Sequence, residues 1–458
     1  VAKKQIIKNI LKSTSPQSLN NYWMDRLVQD PDLYYTFLSR FYLSNNSIDG
    51  YQDFLTRLLK HFSGSSRKGQ TINSKPILAC LNGIYKNIEE LIHQGSYILC
   101  LQANRQTLQS LGDHFHGFHE GADSITQKMG EFIDLMHSMN VQVIAPEMRD
   151  AIYNSTTHLV GHTAIAEMGL VPKLFDSLLV LKNSANEQRE ILALVNQEIE
   201  DLESSRTLKR LEPLLMIKIK ILNRLNRQED IDEFEKEYLH FPLVRKHRIN
   251  RHINDGDFQR AQDLANEALS LNEEKGTTFI TPWVKKLLQI AEREGDREKQ
   301  VEYNCRLFLE TFDMDYFVAT KSLENPNQWS KRLNYILTAI RNQKPWYSID
   351  VFAKIYAEER NLPALQNYVA KNANLRLLKK YESILVDYDR DEYLNIYTSV
   401  LKRLINSKGD KVTIQKVISH MELLREKGAL EHYRQLLNLA NKVYLHKVDW
   451  KVFKAQSE

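Results

Sequence analysis

The stretch from Gly256 to Leu271, GDFQRAQDLANEALSL, decides how this chain reads. Gly256 closes one helix. Phe258, Ala261, Ala265, Ala268 and Leu269 then fall on one face of the next, at the i, i+3, i+4 spacing of a half-buried helix. The three alanines are small enough for two helices to approach closely. Leu264, Leu269 and Leu271 are expected to fill toward the following helix. Such a pair cannot bury its apolar face alone, so neighbouring pairs must stack.

The same pattern continues outward. Val301, Cys305, Phe308 and Phe312 make a helical stripe. Tyr393, Ile396, Tyr397, Val400, Leu401, Leu404 and Ile405 make a second, and Ile414, Val417, Ile418, Met421 and Leu424 a third. Helix punctuation recurs as NDGDF at 254–258, REGDR at 293–297, ERNLP at 359–363 and REKGAL at 425–430. Comparable points are Gly256, Gly295, Asn361 and Gly428, separated by 39, 66 and 67 residues. The last two intervals are about twice 33, the length of a paired-helix repeat.

Composition agrees. Gly (16) and Pro (11) make up about 6% of 458 residues, against roughly 12% in average usage. Sandwiches, barrels and propellers need a turn every 8–12 residues and are disfavoured. Charge density divides the chain. Residues 1–229 carry 49 charged side chains and residues 230–458 carry 71, with net charges of +1 and +3. The change begins in the polar stretch 186–205. The expected fold is therefore all-α: an N-terminal helical domain over 1–190, then a tandem helix-pair, tetratricopeptide-like solenoid over 191–458. Two Gly-bearing stretches, 63–76 (SGSSRKGQTINSKP) and 112–123 (GDHFHGFHEGAD), read as loops in the first domain.

Cys80, Cys100 and Cys305 are odd in number and far apart. That argues against a disulfide framework and for a cytoplasmic, reducing setting. The segment 1–11 lacks the uninterrupted apolar run of a signal peptide. The most apolar long window, 158–181, holds His158, His162, Glu167, Lys173 and Asp176, too polar to span a membrane. No membrane association is expected.

A wider likeness lies in the run from Gly256 through GDREKQVEYNCRLFLE (295–310), DYFVATKSLENPNQW (315–329) and VFAKIYAEERNLPALQNYV (351–369), with Gly295–Asp296, Trp329 and Tyr356 among its features. It resembles the C-terminal helical region of bacterial SWIM zinc-finger proteins. The family's Cys-x-Cys and Cys-x-His metal signature is absent, since none of the three cysteines has a Cys or His at that spacing. The resemblance therefore implies a helical region and a bacterial source, and does not carry over the zinc role or the DNA binding tied to it.

Three constellations invite chemistry. His114, His116, His119, His137, His158 and His162 lie within 49 residues. His158 and His162 are i, i+4 in an expected helix, a spacing at which two imidazoles share one metal, and His114-x-His116-x-x-His119 lies in the Gly-flanked loop. The competing reading is polar loop and helix-surface histidines, because no complete metal signature is present. The run Arg245-Lys246-His247-Arg248-Ile249-Asn250-Arg251-His252 has four fixed positive charges and no acid. Arg245, Lys246, Arg248 and Arg251 could meet phosphates, although the overall pI of about 8.6 is only mildly basic and the adjacent 229–237 segment carries six acids. Local pairing between these opposite blocks, or a solvated face, is the expectation. GSSRKGQT at 64–71 lacks the order of a phosphate loop and reads as a basic surface loop.

The cysteines sit in apolar helical settings and read as buried free thiols. Glu89 and Glu90 are adjacent and face apart. Tyr34, Tyr35, Phe37, Phe41 and Tyr42 give an aromatic helix whose stripe, Leu33, Phe37 and Phe41, reads as core rather than as a partner-binding face. No reaction emerges. The expected function is a non-enzymatic scaffold or adaptor without a cofactor, binding another protein through residues such as Tyr303, Tyr356, Arg360 and Tyr397. Nucleic acid is the alternative partner, and metal binding by His114, His116, His119, His158 and His162 the second alternative.

Overall fold

A computed structural model describes residues 5, 10, 11, 13–45, 48–66, 69–118, 121–142, 145–205, 208–274, 280–342, 349–407, 410–447, 450 and 453. The chain is all-α, with helices in tandem and, among the described residues, one two-stranded hairpin. It divides into two compact units, Val1–Arg248 and Ile249–Glu458.

The first unit holds α1 (Pro16–Gln29), α2 (Pro31–Asn45), α3 (Tyr51–His61), β1 (Ser63–Ser66), β2 (Gly69–Ile72), α4 (Ser74–His93), α5 (Tyr97–Asp113), α6 (Ala122–Gln142), α7 (Pro146–Val160), α8 (Thr163–Glu167), α9 (Val171–Leu181), α10 (Ala185–Ser204), α11 (Leu208–Arg224) and α12 (Gln228–Glu237). The unit's end falls inside α13 (Pro242–Asn254). Helices distant in sequence pack together here: α2 on α4, α4 on α6, α3 on α5, α5 on α7, and α9 on α6 and α7. The pattern in α9 explains its place. Val171, Leu174, Phe175, Leu178, Leu179 and Leu181 leave it no broad polar face, and all are buried. Side chains tie the layers. Buried Asn104 Nδ2 donates to the Phe132 carbonyl at 2.9 Å, and the Tyr51 hydroxyl lies 2.9 Å from that of Thr107.

Several expectations change here. The polar stretch at 186–205 is α10, not an interdomain junction. Ser184 and Glu187 cap its start reciprocally, and Ile191, Leu192, Val195 and Ile199 bury one face. The unit thus ends at 248 rather than 190. The stretch read as a loop at 63–76 instead pairs as an antiparallel hairpin, Ser63 opposite Ile72 and Ser66 opposite Gly69. Asn73 then caps α4 by accepting from Lys75 N–H at 3.3 Å. The segment 112–123 opens with the end of α5 and a short 3-10 turn at Phe115–Gly117. In α2 the two faces are reversed. Ser39 and Leu43 are buried and Tyr35 and Tyr42 pack on the core, while Tyr34, Phe37 and Phe41 are exposed. Their neighbour α1 buries no residue and leaves Tyr22, Trp23, Met24 and Val28 exposed.

The second unit continues α13 into α14 (Phe258–Glu274), α15 (Thr281–Glu294), α16 (Arg297–Thr311), α17 (Met314–Leu323), α18 (Pro326–Asn342), α19 (Ile349–Glu358), α20 (Leu362–Lys371), α21 (Leu375–Lys380), α22 (Glu382–Asn406), α23 (Lys411–Glu426) and α24 (Leu430–Val443). Packing here runs mostly between successive helices: α14 on α15, α15 on α16, α16 on α17, α19 on α20, α23 on α24. The opening stripe behaves as read. Ala261, Ala265, Ala268 and Leu269 are buried, while Leu271 faces out.

The links between helices share one geometry. Gly256, Gly295, Arg360 and Gly428 all have positive φ. At each, the residue's own N–H bonds the carbonyl three back and the next N–H bonds the carbonyl five back from itself, as Gly295 to Glu292 and Asp296 to Ala291 show. Asp257, Asp296 and Asn361 follow directly and cap the next helix, accepting from Arg260, Lys299 and Ala364 N–H. One residue ends a helix and the next begins another. The left-handed position at the third link is Arg360, one residue before Asn361.

Candidate functional site

In the second unit, α16 meets the end of α17 and the start of α18 across an open groove of about 1040 Å³. Helical spacing builds its α16 wall from two strips. Val301, Cys305 and Leu309 recur every four residues and supply apolar floor, and Glu298, Glu302 and Arg306 do the same along the rim. Arg297 clamps the far side. Its Nε donates to the Leu323 carbonyl at 2.6 Å, placing a cation at the end of α17 where carbonyls lack helical partners. Arg332 on α18 donates from Nε to Glu324 Oε2 at 2.8 Å, and Glu324 also accepts from Asn325 N–H at 3.0 Å. Burial would raise the Glu324 pKa, but Arg332 and the Asn325 amide outweigh it and hold the carboxyl below its usual range. Arg306 is taken by Glu310 and Glu273. Exposed Glu298 and Glu302 make no ion pair within the described residues, and Tyr335 stands 57% exposed at the rim. The groove's thiol, Cys305, is buried and pushed up to about 11 by desolvation, so it stays protonated and unreactive at neutral pH.

The groove was not legible as a site in the sequence. Its signal was the pair of four-residue strips in 297–309, which reads equally well as an ordinary amphipathic helix.

The residues expected to face a partner are scattered. Tyr303 is half-buried against the core of α13–α16, and burial raises its hydroxyl pKa. Tyr356 packs its ring beside Phe352 and Tyr368. Arg360 is exposed, at the left-handed link. Tyr397 is a core residue, 4% exposed, with its hydroxyl hydrogen-bonded to His420 Nδ1. It cannot meet a partner directly, because the stripe that identified it is the buried face of α22.

The described histidines of this cluster do not converge. His114 Nδ1 lies 2.8 Å from the Ser110 carbonyl, and His116 pairs with Glu167 at 3.1 Å. Helix α7 ends at Val160, so His158 and His162 are not stacked on one helix. His158 meets Gln109, and His162, at the start of α8, meets Asp113. His119 lies outside the described residues. Among the described residues no three His, Cys, Asp or Glu side chains gather to hold a metal ion.

The basic run is largely committed. Arg245 is only 6% exposed, with Nε donating to the Leu239 carbonyl at 3.1 Å, which withdraws it from any phosphate-facing stripe. His247 Nδ1 lies 2.6 Å from fully buried Glu235, one contact between α12 and α13, while Glu229, Glu233 and Glu237 are exposed. Lys246 is exposed and Arg248 half-buried. Within the second unit, Arg251 is half-buried with an interaction of its own, and His252 reaches Asp257 at 3.5 Å. Cys80 and Cys100 are buried free thiols, and burial pushes Cys100 up to about 12. Glu89 and Glu90 are exposed, the latter paired with Arg40. Among the described residues, no helix is long and apolar enough to cross a membrane.

No family model matches the chain, and no curated protein matches it. Among solved structures it is similar to one described as a circular tandem repeat protein with novel repeat topology and enhanced subunit contact surfaces. The two share 13% identity over 93% of this chain and 96% of that chain, at a TM-score of 0.20.

Proposed function

We propose that this chain is a non-enzymatic helical-repeat scaffold whose second unit binds a protein segment in the α16–α18 groove. The groove itself is the observation that supports this reading. Its volume of about 1040 Å³ is just above the range of ligand cavities, roughly 300–1,000 Å³, and it is partly open to solvent. Arg306, Arg332 and Glu324 are already paired and Arg297 is held by backbone carbonyls, so the walls stay in place. Glu298, Glu302 and Tyr335 are left to face outward. An extended segment carrying Lys or Arg with an apolar residue between them fits that arrangement, and an aromatic rim residue suits an interface anchor. The resemblance of the second unit to the helical part of bacterial SWIM zinc-finger proteins accords with a binding role and adds no chemistry.

The test is site-specific crosslinking. A photoreactive phenylalanine analogue replaces Tyr335, and the adduct is identified after irradiation in the source cells. The expected result is one protein adduct, abolished by Glu298→Lys with Glu302→Lys. An adduct that persists in the double variant, or a nucleic-acid adduct, overturns the reading.

A further inference from the structure

A second cavity in the same unit has a different chemistry. The start of α21 and its preceding link, with α22 and α23, border a shallow, open depression of about 420 Å³. Leu375, Val400 and Leu404 supply an apolar floor, and Arg376, Arg403 and Lys416 form the rim. No acidic residue lines it. Arg403 is fixed in place, donating from Nη2 to the Ala373 carbonyl at 2.8 Å. Arg376 and Lys416 are exposed and make no ion pair among the described residues. Elsewhere in the unit Lys380 pairs with Asp350 and Lys427 with Glu382, so carboxylates are within reach of other cations but not of these two. The local field is felt nearby. His420, one turn along α23 from Lys416, is held below the usual imidazole range by burial, then by Lys416 and Lys379.

Three cations around an apolar floor need a ligand that is anionic at its edges and apolar at its centre. We propose that this cavity binds an acidic protein segment, one or two apolar side chains on Leu375, Val400 and Leu404 with flanking Asp or Glu on Arg376, Arg403 and Lys416. The proposal rests on the scaffold reading and names the chemistry of a second partner segment. A nucleic-acid strand would want aromatic platforms for its bases, and the lining has none. The two guanidiniums suit carboxylates, which they can hold through paired N–H donors.

The experiment measures fluorescence anisotropy of labelled octapeptides with two central apolar positions varied over Leu, Ile, Phe and Met and all flanking positions Asp or Glu. The whole chain is titrated at low and at near-physiological salt. Binding by members of the set is expected, weakened at least about tenfold by Arg376→Glu with Lys416→Glu, a loss of about 1.4 kcal/mol. Arg376→Lys should retain most of it. Replacing the two apolar peptide residues by Ser should weaken binding by a similar factor, and that arm leaves the protein unaltered. The proposal is overturned if no peptide binds, if the Ser peptide binds equally well, or if single-stranded oligonucleotide or phosphatidylserine vesicles displace the peptide as readily as unlabelled peptide does. These readouts are independent of the Tyr335 adduct, so either reading can fail alone.

Discussion

The first unit has one continuous hydrophobic core, running from Leu43 to Val244 and shared by helices far apart in the chain. The second has three cores: one between Ile249 and Leu307, one between Cys305 and Ile355, and one between Ala353 and Phe453. Both units are helical, yet the first is knit by long-range packing and the second by neighbours. In a nearest-neighbour chain, stability is a sum of local terms and segments can open separately. A shared core couples every helix that lines it.

The largest expected effect comes from Phe175→Ala in α9. The ring is fully buried among residues of the single core, and its loss should destabilise the first unit by about 3–5 kcal/mol. Amide exchange should accelerate together across α4 to α11. Phe317→Ala removes an equally buried ring from the middle core of the second unit, where it packs on Phe308 at 5.2 Å and Trp329 at 5.4 Å. We expect a loss of about 3 kcal/mol confined to α16–α19, with protection in α22–α24 kept. Loss of protection there as well would break the contrast between the units.

Glu324→Ala comes next. It leaves Arg332 without its carboxylate and the groove wall unpinned, at about 2 kcal/mol. Thermal melts of the variant should shift, whereas Glu302→Ala, which breaks no internal pair, should not. A smaller effect separates the helix links. Gly295→Ala puts a side chain at φ +72° and should cost about 1 kcal/mol, while Arg360→Gly, at φ +52°, should recover a similar amount. Urea titration resolves both.

The smallest is pH dependence. Asp296 accepts from the Lys299 amide and Asp410 from the Thr413 amide, and each is held below its usual carboxylate range mainly by that bond. A carboxyl depressed in the folded state contributes stability above its unfolded pKa and loses it as pH falls through the folded value. The second unit should therefore weaken on acidification below about pH 4. The Asp296→Asn, Asp410→Asn variant should show a flatter acid limb in the same titration.

The second unit was the more legible because its helices declare themselves locally. The stripes at 393–405 and 414–424 are buried as read except for half-buried Leu404 and Ile418, and Gly256, Gly295 and Gly428 sit at helix ends. What escaped depended on partners distant in sequence. The Leu33, Phe37, Phe41 stripe looks apolar, but α2 buries Ser39 and Leu43 instead, where Ser39 lies against Gly83 of α4 and the Leu43 amide donates to Asn87. His158 and His162 keep the right spacing, yet the helix stops at Val160 between them. The hairpin at 63–72 has no alternating apolar pattern to announce it. The cationic cavity joins Arg376, Arg403 and Lys416 from three helices, and no window of sequence contains them all.

The paired Gly-Asp link has a consequence for how such a chain changes length. A segment from one left-handed residue to the next, such as 257–295, carries its own starting cap and its own stop. Duplicating or excising it joins a helix end to a helix beginning that already match, with no new turn to invent. In the first unit, cutting at Gly95 or Gly169, which have the same backbone geometry, would instead tear a core shared on all sides. The links of the second unit thus supply matched ends for exchanging whole helix pairs, with the cores on either side, such as the one joining Ile249 to Leu307, to be re-formed.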